Sequence, residues 1–147
     1  MWEKQKGAGN KRALKKIVDA GPPPGILAYA DSEPVGWCAL APREEYPVLA
    51  NSRILKPLDD APVWSVTCFF IRRDWRRRGL SSKLLRAAAE FAKQRGARIV
   101  EGYPTDPARG PQADAFVWTG LARSFERAGF KEVARRSATR PIMRKAL

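Results

Sequence analysis

Apolar residues recur along this chain with two different periods, and the switches between them lay out its elements. In "NKRALKKIVDAG" the apolar residues Leu14, Ile17 and Val18 fall on one face of a helix, with Asn10 as N-cap and Gly21 as stop. Three prolines at 22–24 forbid continuation. "GILAYADSEPVGWCAL" then gives two β-rich runs around Asp31, Ser32 and Glu33, which predict an antiparallel hairpin. The stretch Ala41 to Pro62 carries four prolines and reads as a long loop; loops of this length in compact domains tend to be functional.

"VWSVTCFFI", from Val63, is apolar on both faces, as a central strand covered on two sides should be. Beyond Gly79, the residues Leu80, Leu84, Leu85, Ala88, Phe91 and Ala92 return at helical spacing, with Lys83, Arg86, Glu90 and Lys93 opposite and Gly96 as stop. "ARIVEGY" is the next strand. A strand, helix, strand run of this length implies a right-handed crossover and a parallel pair. "TGLARSFERAG" predicts a short helix capped by Thr119 and ended by Gly129, with a start as early as Ala113 also compatible. "FKEVAR" and "ATRPIMR" close the chain as an antiparallel pair. The 147 residues are enough for one core and too few for two ordinary domains, so a single domain is expected.

Charge changes this picture most. A net +13 and a pI near 10.4 give a surface that attracts polyanions: nucleic acid, an acidic protein or a phosphorylated small molecule. Acids gather at Glu44, Glu45, Asp59 and Asp60 and again at Glu101, Asp106 and Asp114, which suggests two less positive loops. The chain has two cysteines, Cys38 and Cys68, and no histidine. It therefore offers neither a disulfide framework nor the usual zinc ligand sets, and no metal is expected. No window approaches a membrane span, and the first residues lack the apolar core of a secretory signal. A cytoplasmic protein without a membrane partner is the expectation.

The positive charge is densest in "RRDWRRRGLSSKLL", where five arginines face one aspartate between the central strand and the long helix. A helix N-terminus at the end of a buried strand offers unpaired backbone N–H groups to an anion, aligned with the positive end of the helix dipole. Gly79 lets the backbone approach a phosphate closely, Ser81 and Ser82 are small and can add hydroxyl donors, and the arginines add charge. A pyrophosphate fits such a socket; the plainer alternative is a solvated basic turn.

"FFIRRDWRRRGLSSKLLRAAAEFAKQRGAR" resembles motif A of the GNAT family of N-acetyltransferases, with the motif's arginine, glycine and small residue at Arg76, Gly79 and Ser81. "FERAGFKEVAR" is similar to the family's closing segment, so the resemblance runs from about Gly25 to the end. The N-terminus is expected to be short by family standards, since one helix precedes the hairpin where members usually have an additional strand and helix. The resemblance implies an α/β (α+β) fold: a mixed, mostly antiparallel sheet with a central parallel strand pair, flanked by helices. Residues 1–24 would form an N-terminal arm and helix, and 25–147 the core.

It further implies acetyl-CoA as cosubstrate and an unknown primary amine as acceptor. The pantetheine arm would enter between the splayed parallel strands and bond the backbone at Phe69, Phe70 and Ile71. The pyrophosphate would sit on Arg76, Arg77, Arg78, Gly79, Leu80, Ser81 and Ser82, with Arg72, Arg73 or Lys83 for the remaining phosphate. A backbone N–H near Phe70 would serve the thioester oxyanion. The tyrosine acid of many members falls at Phe125 here, and an asparagine near Trp118, so neither role carries over. With no carboxylate on the central strand, Glu101 is the candidate base and Tyr103 a candidate acid or substrate contact. A solvated strand-end charge and a half-buried packing residue are the plainer readings of these two. Cys68 and Cys38 read as core residues.

Two other readings remain. Trp37, Trp64, Trp75 and Trp118 among arginines suit a nucleic-acid-binding module, although most lie in or beside elements where aromatics pack. The cofactor fold without the reaction would make a sensor. A homodimer is compatible with the sequence but not encoded in any motif.

Overall fold

The computed structural model describes residues 8–107 and 118–147. Helix α1 spans Ala8–Ala20, so Asn10 lies inside it rather than capping it. Strands β1 (Gly25–Ala30) and β2 (Glu33–Pro42) form the expected hairpin. Asp31 and Ser32 both adopt positive φ, 49° and 67°, the conformation that a two-residue turn matched to strand twist requires. The segment expected as a loop from Ala41 is more structured than that. Strand β2 runs through Pro42, a 3-10 turn covers Arg43–Glu45, and the short helix α2 covers Pro47–Ala50, with Pro47 at its first turn, where a missing N–H costs nothing.

Strand β3 (Trp64–Ile71) leads through a 3-10 turn at Arg73–Trp75 into helix α3 (Leu80–Gln94). Strand β4 (Ile99–Gly102), helix α4 (Ala122–Arg127) and strands β5 (Lys131–Arg135) and β6 (Pro141–Ala146) follow. The α4 N-cap is Leu121, not Thr119, whose hydroxyl instead meets that of Thr105 at 3.2 Å. The earlier start at Ala113 lies outside the described residues. One mixed sheet results, in the order β1-β2-β3-β4-β6-β5, antiparallel throughout except for β3 beside β4.

The helical stripe of α3 explains the core. Leu84, Leu85, Ala88 and Ala92 are buried against Cys38, Leu40, Val66 and Val100 of the sheet, and α4 and β6 complete the layer with Phe125, Ala128 and Met143. Small residues let the layers close: a Cβ on Gly36 would stand 3.1 Å from Leu80, and one on Gly102 only 2.1 Å from the ring of Phe125. The opposite sheet face is covered over β4 and β6 by a second cluster of Leu49, Tyr103 and Ile142. It is open at the carboxyl end of β3, although Ser65 nearer the start of that strand is fully buried. Phe70 is 60% exposed, so β3 is not buried on both faces as its composition suggested.

Gly102→Ala is expected to lower stability by about 1–3 kcal/mol, the cost of overpacking, read as a lower urea midpoint with an unchanged slope.

Candidate active site

Strands β3 and β4 stay together for only three residue pairs, Trp64 with Val100, Ser65 with Glu101 and Val66 with Gly102. The cause lies in β3. Its partners on β2 step from Cys68–Ala39 to Val66–Leu40, leaving Thr67 as the extra residue of a bulge, and a bulge bends the strand that carries it. Past this point β3 continues beside β2 while β4 ends, and the strands part. Part of the gap is spanned by Trp118–Leu121. The Phe69 N–H donates to the Trp118 carbonyl at 2.6 Å, and the Thr105 N–H donates to the Gly120 carbonyl at 2.8 Å.

These bonds also fix which way the β3 backbone points. The Arg72 N–H reaches back to Val35 of β2 at 2.9 Å, whereas that of Phe69 points into the gap. By strand alternation Ile71 faces the gap as well, and Phe70 faces β2. The expectation for Phe70 is therefore corrected: its amide belongs to the hairpin ladder and is not aimed at a bound thioester. The Ile71 carbonyl accepts from the Arg76 Nε at 3.1 Å, so this arginine closes the strand's carboxyl end.

The basic turn then forms a concave backbone. Arg77 at φ 60° and Gly79 at φ 76° are both left-handed, flanking Arg78, the kind of alternation that turns successive N–H groups toward one point. Holding Arg77 there costs on the order of 1–3 kcal/mol, which favours a functional reading of the loop. A Cβ on Gly79 would meet nothing within 4 Å, so the backbone is bare on that side. Among the described residues, no partner is found for the amides of Gly79, Leu80, Ser81 or Ser82.

The side chains divide sharply. Arg72 is spent on Asp74, through a two-pronged contact at 2.7 and 2.8 Å, and on Glu33 at 2.9 Å, so it is not the free cation it was expected to be. Arg78 stacks on Trp75 at 4.1 Å. Arg73, Arg77 and Lys83 are exposed and make no ion pair among the described residues. The Ser82 hydroxyl faces inward and donates to the Ser124 carbonyl at 3.1 Å, tying α3 to α4; only Ser81 has its hydroxyl to offer.

Glu101 and Tyr103 do come together, on the sheet face away from α3. Glu101 has no exposed surface, and neither plain reading of the pair holds. One carboxylate oxygen accepts from Arg43 and from the Tyr103 hydroxyl, the latter at 2.7 Å; the other accepts from the Arg144 Nε at 2.6 Å. Arg144 also grips Asp59 with both terminal nitrogens, at 2.7 and 3.0 Å. Two arginines and two carboxylates thus form a neutral cluster, buried at Glu101 and open to solvent at Asp59, which fastens the 43–62 loop to β4 and β6. Burial and then the Glu101 charge push the Tyr103 phenol well above its ordinary range. The carboxylate is fully buried, three hydrogen bonds already converge on it, and its charge is matched by two guanidinium groups.

The other candidate groups are quiet. Burial raises both cysteine thiols above their ordinary 9.0, Cys38 by far the more, so neither is a ready nucleophile. Phe125, at the position expected to lack a tyrosine, is fully buried between Phe69 and Phe130. Trp64 packs edge-on against Phe91, and Trp75 lies under Arg78. Of the tryptophans considered as stacking platforms, Trp118 presents most surface, at 54%. Sequence reasoning missed Arg43 and Arg144, because they come from opposite ends of the chain and nothing in their local patterns links them to Glu101.

Residues 2–116 match the model of the acetyltransferase (GNAT) family. The chain belongs to this family. Solved structures agree on the fold. A ribosomal-protein-alanine N-acetyltransferase from Brucella melitensis superposes with a TM-score of 0.59 at 14% identity, over 100% of this chain and 83% of that one. The PaiA N-acetyltransferase from Thermoplasma acidophilum, solved with coenzyme A, gives 0.57 at 16% identity, over 95% and 72%. The aminoglycoside acetyltransferase AAC(6')-Ib, in complex with coenzyme A and kanamycin, gives 0.55 at 18% identity, over 83% and 65%. Among curated proteins, no sequence is similar enough to match.

Two predictions follow from the ion cluster. Glu101→Gln leaves the Arg43 guanidinium without its carboxylate, while Arg144 keeps Asp59, and is expected to cost about 3–5 kcal/mol in chemical denaturation. Asp59 is held below its ordinary 3.8, first by the hydrogen bond from Arg144. A carboxyl with a lowered folded-state pKa stabilises fully above its unfolded value and loses this as pH falls through the folded one. Hydrogen-exchange protection of the Arg43 amide, bonded to Val63, is therefore expected to hold from neutral pH down to 3.8 and to decline in stronger acid.

Proposed function

We propose that this member of the family is an N-acetyltransferase that moves the acetyl group of acetyl-CoA to a primary amine. The observation that carries the reading is the row of unpartnered amides, Gly79 to Ser82, on a left-handed glycine at the head of a 15-residue helix. Such a row suits a diphosphate, with Arg73, Arg77 and Lys83 available for further phosphate charge. The coenzyme A in the complexes of the Thermoplasma and aminoglycoside enzymes supports the same cosubstrate here. The pantetheine arm would run along the gap-facing edge of β3, where it competes with Trp118 for the Phe69 amide.

Chemistry then proceeds by direct transfer. A neutral amine attacks the thioester carbonyl, and no acyl-enzyme forms, because the only thiols are held protonated by burial. Glu101 and Tyr103 hold the site's floor in place; neither is the base or the acid. With Glu101 buried in its ion cluster and no histidine in the chain, the transfer draws on the fraction of acceptor that arrives unprotonated. Its rate should therefore rise with pH toward the pKa of the acceptor amine.

A thermal-shift titration with acetyl-CoA tests the cofactor half. At a hundredfold excess over the dissociation constant, binding adds about 2.7 kcal/mol. For a chain of this size that is a rise of roughly 5–10 °C. Gly79→Glu, which puts a carboxylate into the socket, is expected to abolish the rise. Release of free thiol across a panel of primary amines tests the transfer; cofactor binding without any release would leave a sensor instead.

A further inference from the structure

Arg43, Arg135 and Arg144 each hold a carboxylate: Arg43 and Arg144 share Glu101, and Arg135 takes Asp106 at 2.7 Å and Glu132 at 2.8 Å. Arg140, the residue before β6, does not. It is half-buried and makes no ion pair among the described residues. Its Nη2 donates to the Tyr103 carbonyl at 3.0 Å, while its Nε has no appreciable surface and no hydrogen-bond partner. A buried donor that meets neither protein nor water is destabilising, and more so on a charged group. Burial accordingly holds this guanidinium below its ordinary pKa. The carbonyl that it meets is neutral and leaves the charge unmatched, and the acids at this end of the hairpin, Asp106 and Glu132, are already taken by Arg135.

Backbone bonds show where this cation reaches. The Asp106 N–H donates to the Thr139 carbonyl at 2.8 Å, toward the β5–β6 hairpin. Thr105 bonds the other way: its N–H donates to the Gly120 carbonyl at 2.8 Å and its own carbonyl accepts from Ala122 at 3.0 Å. In an extended chain every second residue directs its backbone groups to the same side. The Tyr103 carbonyl therefore shares the side of Thr105, on which Trp118–Leu121 spans the gap. To meet it, Arg140 extends from the β6 side across the end of β4. An unmatched charge thus stands at the rim of the opening between the parted strands, whereas the anion socket adjoins β3 at the head of α3.

We propose that Arg140 selects the acceptor: it takes a carboxylate carried by the same molecule as the attacking amine, so that the substrate is an amino acid or another small amine bearing a carboxylate. This rests on the acetyltransferase reading above and narrows its acceptor. The planar fork of a guanidinium matches a carboxylate in shape as well as charge. Such a ligand supplies an anion where the free protein has only a carbonyl, and the net charge of +13 draws it in. An amine without the carboxylate leaves the cation unmatched. Discrimination then comes from the desolvated group itself, as in sites that reject an analogue lacking one polar partner.

The test measures thiol release from acetyl-CoA with α-amino acids and with ω-amino acids of increasing length, each beside its carboxamide, for the wild type, Arg140→Gln and Arg140→Lys. A hydrogen-bonded charge pair is expected to favour the best acid over its amide by about 10–100-fold in kcat/KM with the wild type. Arg140→Gln is expected to remove that preference by raising the KM for the acid, with kcat and the rates on the amides within about threefold of wild type. The thermal shift with acetyl-CoA should be unchanged. Arg140→Lys, which keeps a charge without the fork, should retain part of the preference. If Arg140→Gln fails to fold, Arg140→Lys decides, and a preference as strong as the wild type's overturns the proposal. A wild type that acetylates acids and amides alike, or an Arg140→Gln variant that keeps the preference, overturns it and leaves the acetyltransferase reading intact. So does a variant that slows both substrate sets equally, the result expected if Arg140 only ties the hairpin to Tyr103. Absence of thiol release with every amine overturns both.

Discussion

The short parallel ladder between β3 and β4 is the constraint on which the rest of the molecule depends. Three residue pairs hold the strands together, and then Thr67 inserts and they diverge. A sheet opened in its middle exposes backbone groups that must find other partners. Three arrangements around the opening answer that demand: Trp118 and Gly120 bond across it, Arg76 covers the Ile71 carbonyl, and the α3 head presents its amides at one end. Below the opening, the strands are tied by charge. Glu101 sits on the second of the three pairs with no surface exposed, and its two arginines draw in the 43–62 loop and β6. The same pair of strands is thus open at one end and clamped at the other.

That clamp is expensive, since burying charge costs several kcal/mol per ion before any attraction is counted. A packed apolar cluster would hold the loop more cheaply. The clamp's advantage is register: a bidentate guanidinium fixes direction and distance, which apolar contacts do not.

Much of the fold could be read from periodicity. The α3 stripe, the hairpin and the parallel crossover all follow from short-range patterns, because 3.6- and 2-residue repeats are local properties. Family resemblance supplied the topology, and the expectation of an anion socket came from Gly79 and the basic turn, whose signals are contiguous. The misreadings are of another kind. Composition made β3 look buried on both faces, but Phe70, near its carboxyl end, is open while Ser65, near its start, is covered. The Ser82 hydroxyl looked like a donor for a ligand and is a tie between helices. Arg72 looked free and is taken by Asp74 and Glu33. Glu101 looked like a solvated strand-end charge in its plainer reading and is fully buried in an ion cluster. Its partners, 58 residues before it and 43 after, have no local signature. The bulge at Thr67 was equally silent, for an extra residue in a uniformly apolar strand leaves the pattern unchanged.

The central claim is that the amides heading α3 take a diphosphate. Residue-resolved amide exchange, with and without acetyl-CoA, addresses it most directly. Slowed exchange centred on Gly79 to Ser82, weaker with a pantetheine thioester that lacks the nucleotide, is the result this account predicts. Exchange at these four amides that is unchanged by saturating acetyl-CoA would contradict it.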